Sequence, residues 1–359
     1  MNKFLIALTL VFLLAIQLLC AQSTRMYIGT YTSDSKSEGV YVYDFNNKNN
    51  KAELVRTIPM SNPSFLARKG DILYAVNEDI AGKLTVYDLK NNRLLSESST
   101  KGMHPCHIAL SPIYPVALVS NYSSGSLALY SLNENGSVNR MEDMLTFNNS
   151  SINKERQSTS HVHSAFFSKD GRLAYVSDLG ADLIYIFEIV KSDKEFTLNK
   201  VGEIKTKLGG GPRHLAFSKD GNTIYSILEL TGEIEVFQRK KSDWNSVQIV
   251  PMYSTNFKGQ QGGADIKFDK KGSILFATNR GEVNEIYSYA VMKSGLLKYI
   301  SSSSVYGDSP RNLNISPSRK KVFIANQNTN NITILPTNLR STGINISKIN
   351  IPKPVCMIF

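Results

Sequence analysis

The sequence is poor in the residues that build the common catalytic and metal-binding motifs. Its 359 residues include three cysteines, one tryptophan and five histidines. It contains no Cys-x-x-Cys, His-Glu-x-x-His, Gly-x-Ser-x-Gly or phosphate-binding glycine-rich loop. His161 and His163 could give a metal ion two ligands from one face of a strand, but no third ligand follows at a suitable spacing. We therefore expect neither a metal site nor a cofactor.

Long apolar runs are also rare, since only residues 4–19 form one. Lys3 precedes this run and the small residue Ala21 follows it, which is typical of an export signal. We expect residues 1–21 to be a signal peptide and the mature chain to be periplasmic or secreted. A retained transmembrane segment is not expected, because the run is shorter than the roughly 20 residues that a span needs. Lipid anchoring through Cys20 is the alternative, which the bulky residue before it disfavours.

A mature chain that begins near residue 22 keeps only two cysteines, Cys106 and Cys356. Export would permit a disulfide bond between them. Two cysteines in a chain of this length make no disulfide scaffold, so we expect two buried free thiols.

Positive charge is in excess but is not concentrated anywhere. Lys and Arg number 41 against 30 Asp and Glu, for a net charge of +11. The densest basic runs, residues 239–241 and 319–321, are short and carry no aromatic residues spaced for base stacking. We therefore expect no nucleic-acid partner. A disordered chain is excluded too, since 42% of the residues are hydrophobic and only 20% are charged.

The dominant feature of the sequence is an internal repeat. A turn with Pro or Gly leads into a short apolar strand, then a polar turn and a second strand that ends in a polar residue. A third strand follows whose apolar residues alternate, as in residues 82–87, which predicts burial of one face only. Successive copies lie roughly 40 to 60 residues apart, the spacing of propeller blades with four short strands. The six complete copies begin at Asn62, His104, His161, Gly211, Gly262 and Ser309.

The two ends of the mature chain together supply a seventh copy. Residues 26–31 and 39–43 match a second and a third strand but lack a first, and residues 353–359 match a first strand and then stop. A ring closed by strands from both termini leaves no open sheet edge between the first and last blades. We therefore predict an all-β, seven-bladed β-propeller with four-stranded antiparallel blades. Residues 22–359 would form it as a single domain, and we expect a monomer.

The histidines share one place in the repeat, near the starts of the first strands, which line the central channel of a propeller. They are His104, His107, His161, His163 and His214. Arg213 and Arg311 occupy the aligned position of His163, and Asp265 occupies that of His214. Random scatter is a poor explanation for this coincidence, so we predict a pocket at that end of the channel.

The second strands end in a further polar ring, and the position after it carries Glu229 and Arg280. Clustered cations cost free energy unless an anion joins them. We therefore predict that Arg213, Arg280 and His163 bind an anionic small molecule. Residues 209–211, three consecutive glycines, add a weaker signal, because such a turn can form an anion-binding nest of backbone N–H groups.

Five short motifs follow one another in successive blades. They are Gly29-Thr30-Tyr31-Thr32, Ser120-Asn121-Tyr122, Asp178-Leu179-Gly180-Ala181-Asp182, Gly211-Pro212-Arg213-His214 and Asn279-Arg280. In this order they resemble the seven-bladed lactonase family, which holds the propeller-type 6-phosphogluconolactonases and the related carboxy-muconate cyclases. The resemblance runs from about residue 25 to residue 359.

The resemblance also implies an active centre. The catalytic residues of the family correspond, motif by motif, to four residues of this chain, His163, Glu229, Arg213 and Arg280. Around them we expect substrate contacts from His161, His214, Asp265, Arg311 and Asn121. Leu228 stands where the family usually has asparagine, so one side-chain hydrogen bond of the family is not expected here.

The activity that the resemblance implies is hydrolysis of a sugar lactone, as by a 6-phosphogluconolactonase. His163 or Glu229 would be the general base, and Arg213 and Arg280 would bind the anionic group of the substrate and the oxyanion. Export is unexpected for this activity, because 6-phosphogluconolactone is a cytosolic metabolite, so the physiological substrate stays open. The alternatives are an exported, non-enzymatic propeller that binds anionic sugars or partners, and a lactone-forming enzyme like the carboxy-muconate cyclases. A calcium-dependent gluconolactonase of another propeller family is a third.

Overall fold

Short β-branched and aromatic segments, separated by turns rich in Gly, Asn and Asp, favour antiparallel hairpins. In the computed structural model, which describes residues 23–193, 195–254, 256–340 and 346–359, these segments form seven four-stranded antiparallel sheets. Within these ranges no helix is long and apolar enough to cross a membrane. The predicted signal peptide, residues 1–21, lies outside the described residues.

Each sheet is one blade. Blade 1 consists of β28, β1, β2 and β3, and blades 2 to 7 take four consecutive strands each, from β4 to β27. The strands in chain order are β1 (Ser23–Thr30), β2 (Gly39–Asn46), β3 (Ala52–Pro59), β4 (Pro63–Lys69), β5 (Ile72–Asn77), β6 (Lys83–Asp88), β7 (Arg93–Ser99), β8 (Pro105–Leu110), β9 (Val116–Asn121), β10 (Ser126–Leu132), β11 (Val138–Thr146), β12 (Val162–Phe167), β13 (Leu173–Asp178), β14 (Leu183–Lys191), β15 (Phe196–Lys205), β16 (Pro212–Phe217), β17 (Thr223–Leu228), β18 (Glu233–Lys240), β19 (Asp243–Pro251), β20 (Gln261–Phe268), β21 (Ile274–Gly281), β22 (Glu285–Val291), β23 (Leu297–Ser304), β24 (Pro310–Ile315), β25 (Lys321–Asn326), β26 (Asn331–Pro336), β27 (Ser347–Asn350) and β28 (Pro354–Ile358).

Blade 1 closes the ring. β28, from the end of the chain, pairs antiparallel with β1, with Ile358 opposite Tyr27 and Met357 opposite Ile28. The innermost strands contact one another in cyclic order: β28, β4, β8, β12, β16, β20, β24 and again β28. The prediction of a seven-bladed ring closed by strands from both termini is therefore confirmed.

The apolar core lies largely between neighbouring blades. Blades 3 and 4, for example, pack together through the fully buried side chains of Leu118, Leu129, Val176 and Tyr185. Each blade is thus covered on both faces, and removal of this apolar surface from water is the main favourable term in the stability of the ring.

The third strands are more buried than their alternating pattern predicts. In β18 even the polar Glu235 is only 3% exposed. Its carboxylate accepts hydrogen bonds from the Lys207 amide at 2.8 Å and from the Ser246 hydroxyl at 2.7 Å. The prediction of a strand buried on one face is wrong here, because a neighbouring blade covers the second face as well.

The innermost strands begin at the same end of the ring at which the second strands end. In blade 3, Pro105 at the start of β8 lies opposite Asn121 at the end of β9. We call this end of the ring the mouth. Cys106, next to it, and Cys356, in β28, are both buried and free, as expected.

Candidate active site

The mouth holds a cavity of about 580 Å³ to which all seven blades or the connections between them contribute. Most of its lining is polar or charged, which distinguishes it from an ordinary packing defect. The lining residues are Tyr31, Glu78, Cys106, Tyr122, Asn153, Arg156, His163, Glu229, Leu230, Gln261, Gly262, Arg280, Gly281, Ser309 and Arg311.

A β-bulge at the start of the innermost strand directs its side chains toward the channel. In blade 5 the pairing register shifts between Pro212 and Leu215, and the same shift occurs at the start of β12, β20 and β24. A bulge re-aims the side chains of the strand that carries it. As a result the consecutive residues Arg213 and His214 are both buried near the channel, where regular alternation would place them on opposite faces.

Glu229, directly after β17, is the centre of the cavity's ion pairs. Its Oε2 lies 3.0 Å from Arg213 Nε and 2.9 Å from Arg280 Nη2. Its Oε1 lies 2.7 Å from Arg156 Nη2. Burial alone would raise the pKa of Glu229, but Arg280, Arg213 and Arg156 outweigh burial and hold the pKa well below its usual range. Glu229 is therefore a carboxylate throughout the neutral range.

A second ion pair also lines the cavity. Arg311 Nη2 lies 3.8 Å from Glu78 Oε2, and the Tyr31 hydroxyl donates a hydrogen bond of 2.8 Å to the same carboxylate oxygen. The Arg311 guanidinium also lies over the Tyr31 ring, 5.3 Å from its centroid. Burial would lower the pKa of Arg311, but Tyr31 and Glu78 outweigh it and raise the pKa.

The cations of the cavity outnumber its anions. Three arginines that line the cavity, at positions 156, 280 and 311, and Arg213 behind them meet only two carboxylates, those of Glu78 and Glu229. The excess has a visible effect, because burial and then the nearby Arg280 and Arg311 lower the pKa of Arg213 to about 10. An incoming anion would relieve this repulsion, so the geometry favours an anionic ligand.

His163 also lines the cavity, next to the ion pairs of Glu229. Its Nε2 lies 3.8 Å from Glu229 Oε2, while its Nδ1 is buried with no hydrogen-bond partner among the described residues. Burial, and then the charge of Arg213, lower the pKa of His163 well below its usual value. The imidazole is therefore neutral at pH 7 and able to accept a proton.

Two predicted substrate contacts lie beneath the cavity. His214 Nδ1 and Asp265 Oδ1 are 2.8 Å apart, and both residues are only 2% exposed. The other Asp265 oxygen accepts hydrogen bonds from Asn312 Nδ2 at 2.7 Å and from the Leu313 amide at 3.0 Å. Neither residue lines the cavity. Their contacts instead connect blades 5, 6 and 7, and the geometry gives no support for direct substrate contact by either of them.

Two further predicted substrate contacts also lie outside the cavity lining. The Asn121 amide donates to the Ser126 hydroxyl at 3.1 Å, within blade 3. The His161 ring stacks on Tyr122, with a centroid distance of 4.5 Å and 12° between the planes. Asn121 therefore supports its own blade, and His161 supports a side chain that does line the cavity.

Arg156 is a charged cavity residue that the repeat pattern does not reveal. It lies in residues 147–161, the connection between β11 and β12, which precedes the repeat copy that begins at His161. Its guanidinium bridges Glu229 and the Tyr122 hydroxyl, which is 3.2 Å from Nη2. One sequence signal could have found it: among connections from one blade to the next, residues 147–161 are the longest, and long loops often carry function.

Asp182 anchors this connection. Its carboxylate accepts hydrogen bonds from Ser151 Oγ at 2.5 Å and Gln157 Nε2 at 2.7 Å, both in the connection. It also accepts from the amides of Gly209 and Gly211, at 2.6 and 2.7 Å. The glycine turn thus does bind an anion, as its sequence suggested, but the anion is a carboxylate of the protein itself.

Metal coordination finds no support in this geometry. Among the residues that the structure describes, no group of three or more His, Cys, Asp or Glu side chains could hold a metal ion. The candidate site is thus built from arginines, carboxylates and one neutral histidine.

Comparison with known proteins identifies relatives along almost the whole chain. The sequence model of a family described as "Lactonase, 7-bladed beta-propeller" matches residues 25–359. A 6-phosphogluconolactonase of Formosa agariphila is 32% identical over 324 residues, which cover 86% of this chain and 91% of that protein. A 6-phosphogluconolactonase of Bacillus subtilis is 26% identical over 349 residues, which cover 93% and 97%. The solved structure of the periplasmic gluconolactonase PpgL of Pseudomonas aeruginosa superimposes with a TM-score of 0.84 at 28% identity, covering 93% of this chain and 98% of that one.

Proposed function

The chain belongs to the family of seven-bladed β-propeller lactonases, which hydrolyse the ring ester of lactones, and we propose that its substrate is an anionic sugar lactone. The observation that carries this proposal is the excess of arginines at the mouth, where Arg156, Arg213 and Arg280 converge on the single carboxylate of Glu229. Relatives of similar length are named 6-phosphogluconolactonase, and the substrate of such an enzyme carries a phosphate group.

We assign the general base to His163. Its neutral imidazole can take a proton from a water molecule as that water attacks the lactone carbonyl carbon. The alternative base, Glu229, is less available to a water molecule, because both of its carboxylate oxygens already pair with arginines. The imidazolium that forms lies 3.8 Å from Glu229 Oε2, which stabilises its charge.

The arginines have separate parts in this mechanism. Arg280 and Arg156 line the cavity. We therefore propose that they stabilise the negative charge that develops on the carbonyl oxygen and bind the anionic group of the substrate. Arg213 lies behind Glu229 with its side chain only 3% exposed and also donates to the Ala264 carbonyl. Arg213 is therefore a positioning residue that holds Glu229 in place.

Ring opening completes the reaction. The tetrahedral intermediate collapses, the bond between the carbonyl carbon and the ring oxygen breaks, and the imidazolium of His163 returns its proton to the leaving oxygen. Lactone and water thus give one hydroxy acid, whose new carboxylate is itself an anion that the arginines can bind.

We propose that this chemistry takes place outside the cytoplasm. The export signal predicted in residues 1–21 supports this location. A structural neighbour of high similarity is described as a periplasmic gluconolactonase, which is consistent with it. The physiological lactone would then differ from a cytosolic sugar phosphate.

Hydrolysis of a panel of sugar lactones, followed in a pH-stat against the spontaneous rate, tests the proposal. His163→Ala is expected to lower kcat by a factor of about 10² to 10⁴ without changing the melting temperature appreciably. Arg172→Gln, at an exposed site outside the cavity, is the control that should keep wild-type rates. Binding of anionic sugars without hydrolysis of any lactone would favour the non-enzymatic alternative, and wild-type rates in the His163 variant would refute the assigned base.

A further inference from the structure

A second cavity adjoins the candidate active site at the mouth. Its volume is about 760 Å³, and it shares Tyr31 and Glu78 with the first cavity. Its other walls come from blades 1, 2, 3 and 7, so the two cavities lie side by side over the end of the ring. A ligand larger than a single sugar ring could therefore occupy both.

The two cavities have opposite electrostatic character. Arginines dominate the first, whereas the second is lined by the carboxylates of Asp34, Glu78 and Asp79 and by one permanent cation, Lys353. An anionic group would be repelled by these carboxylates at close range. The second cavity is therefore suited to an uncharged part of a ligand.

Several polar groups that line the second cavity have no partner within the described residues. The side chains of Asp34, Gln327 and Lys353 make no hydrogen bond or ion pair there. His104 binds Ser123 through Nδ1 at 2.7 Å, which leaves its Nε2 available. The set mixes donors with acceptors, and sugar hydroxyl groups both donate and accept.

The wall of the second cavity is held in place before any ligand arrives. Asn62 Oδ1 accepts hydrogen bonds from the amides of Thr32 at 2.8 Å and Ser33 at 3.0 Å. Asn62 Nδ2 donates to Asp79 Oδ1 at 2.6 Å. A wall fixed in this way loses little conformational entropy on binding.

We infer that the second cavity is a subsite for an uncharged, hydroxylated extension of the lactone, such as a glycosyl unit attached to an aldonolactone ring. The inference rests on the proposed function, because it places the reacting ring in the arginine-lined cavity. Its substrate class is a lactone derived from an oligosaccharide, with the anionic group on the reacting ring and an uncharged unit next to it, which an exported enzyme could meet outside the cytoplasm.

The test compares glucono-δ-lactone with cellobiono-δ-lactone, which carries the same reacting ring plus one glucosyl unit. The full-length mature protein is expected to hydrolyse the glucosylated lactone with a kcat/KM about tenfold higher, the factor that one or two additional hydrogen bonds provide. Ala81→Trp would fill the second cavity, and Gln327→Ala with Lys353→Ala would remove two of its free polar groups. Both changes should abolish the preference while leaving the rate with glucono-δ-lactone unchanged.

Lys69→Ala provides the matched control, since this exposed lysine lies at the opposite end of an innermost strand. It should keep the preference for the glucosylated lactone. Equal kcat/KM values for the two lactones in the wild-type protein would overturn the subsite, as would a preference that survives Ala81→Trp, and both results would leave the proposed lactonase activity intact. If neither lactone is hydrolysed, calorimetry with gluconate and cellobionate decides the subsite separately, and equal affinity for the two would refute it.

Discussion

At the scale of single residues, the arginines of the cavity differ in their freedom to meet a ligand. The side chain of Arg213 is 3% exposed, that of Arg280 is 16% exposed and that of Arg156 is 46% exposed. Arg156 also holds a different oxygen of Glu229 from the other two. Of the three arginines, Arg156 can therefore leave Glu229 and bind a ligand anion instead with the smallest loss of contact with water.

Arg156→Gln is accordingly expected to weaken binding of the anionic group. Loss of one charge-assisted contact should raise KM for 6-phosphogluconolactone by about tenfold or more. The kcat/KM for uncharged glucono-δ-lactone should change much less, and Arg172→Gln is again the control. Initial rates in a pH-stat give both constants. An equal loss with the two lactones would show instead that Arg156 acts in the chemical step.

Buried histidines make the stability of the fold depend on pH. Burial, and then Arg213, lower the pKa of His214 to about 4 from its usual 6.5, and burial lowers that of His107 as well. Between about pH 6.5 and pH 4 the His214 side chain binds a proton in the unfolded chain but not in the folded chain. The free energy of unfolding therefore falls as the pH is lowered through this range. For His214 alone the loss between about pH 6.5 and 4 is about 3 kcal/mol.

Urea unfolding at pH 7 and pH 4.5 measures this dependence. His214→Gln is expected to reduce the stability difference between the two pH values by about 2 kcal/mol. The urea m value should stay the same, which shows that both proteins unfold through the same transition. A variant with the full wild-type pH dependence would mean that His214 is not the group responsible.

At the scale of elements, Asp182 holds the connection of residues 147–161 in place. This carboxylate joins the connection to the glycine turn that precedes Arg213. Gly180 allows the close approach, because a Cβ atom at this position would collide with the carbonyl of Thr159. Arg156 thus reaches the cavity through contacts made by a neighbouring blade.

Asp182→Asn should therefore disturb both stability and the position of Arg156. An amide cannot replace a carboxylate that accepts four hydrogen bonds, so we expect a loss of about 2 to 4 kcal/mol. Asp220→Asn, in an exposed turn, should cost much less. In a double-mutant cycle, adding Arg156→Gln should lower kcat/KM little further. Fully additive effects on kcat/KM would contradict the anchoring role of Asp182.

At the scale of the whole molecule, stability depends on the closure of the ring. β28 brings Val355, Cys356 and Met357 into the core and makes the pairing with β1. Asn312 Oδ1 accepts a hydrogen bond from the Met357 amide at 2.9 Å, which ties the last strand to blade 7. The short C-terminal segment therefore contributes to two blades at once.

Deletion of residues 354–359 is expected to destabilise the fold by roughly 5 kcal/mol or more, comparable to the whole stability of many domains. Thermal unfolding followed by circular dichroism measures the effect. A synthetic peptide of residues 353–359 should raise the melting temperature of the truncated protein in a concentration-dependent manner. Normal melting and solubility after the deletion would contradict the importance of closure.

Alignment of the repeat copies placed some of the site residues correctly and misplaced others. His163, Glu229, Arg280 and Arg311 occupy repeat positions whose side chains meet at the mouth, so aligning the copies was enough to bring them together. His214 occupies the next position along the innermost strand and lies beneath the cavity, where the bulge at the start of that strand redirects neighbouring side chains. Local pattern contains no information about such bulges.

The sequence alone determined the seven-bladed fold, its closure by both termini and the group of arginines near one histidine and one carboxylate. Those features follow from a periodic pattern of strands and turns, which is local and repeated along the chain. Only the tertiary structure decided that Arg156 joins the cavity and that His214 and Asp265 do not, and it revealed the second cavity beside the first. The reason is that these features depend on the packing of segments distant in sequence, which no single copy of the repeat contains.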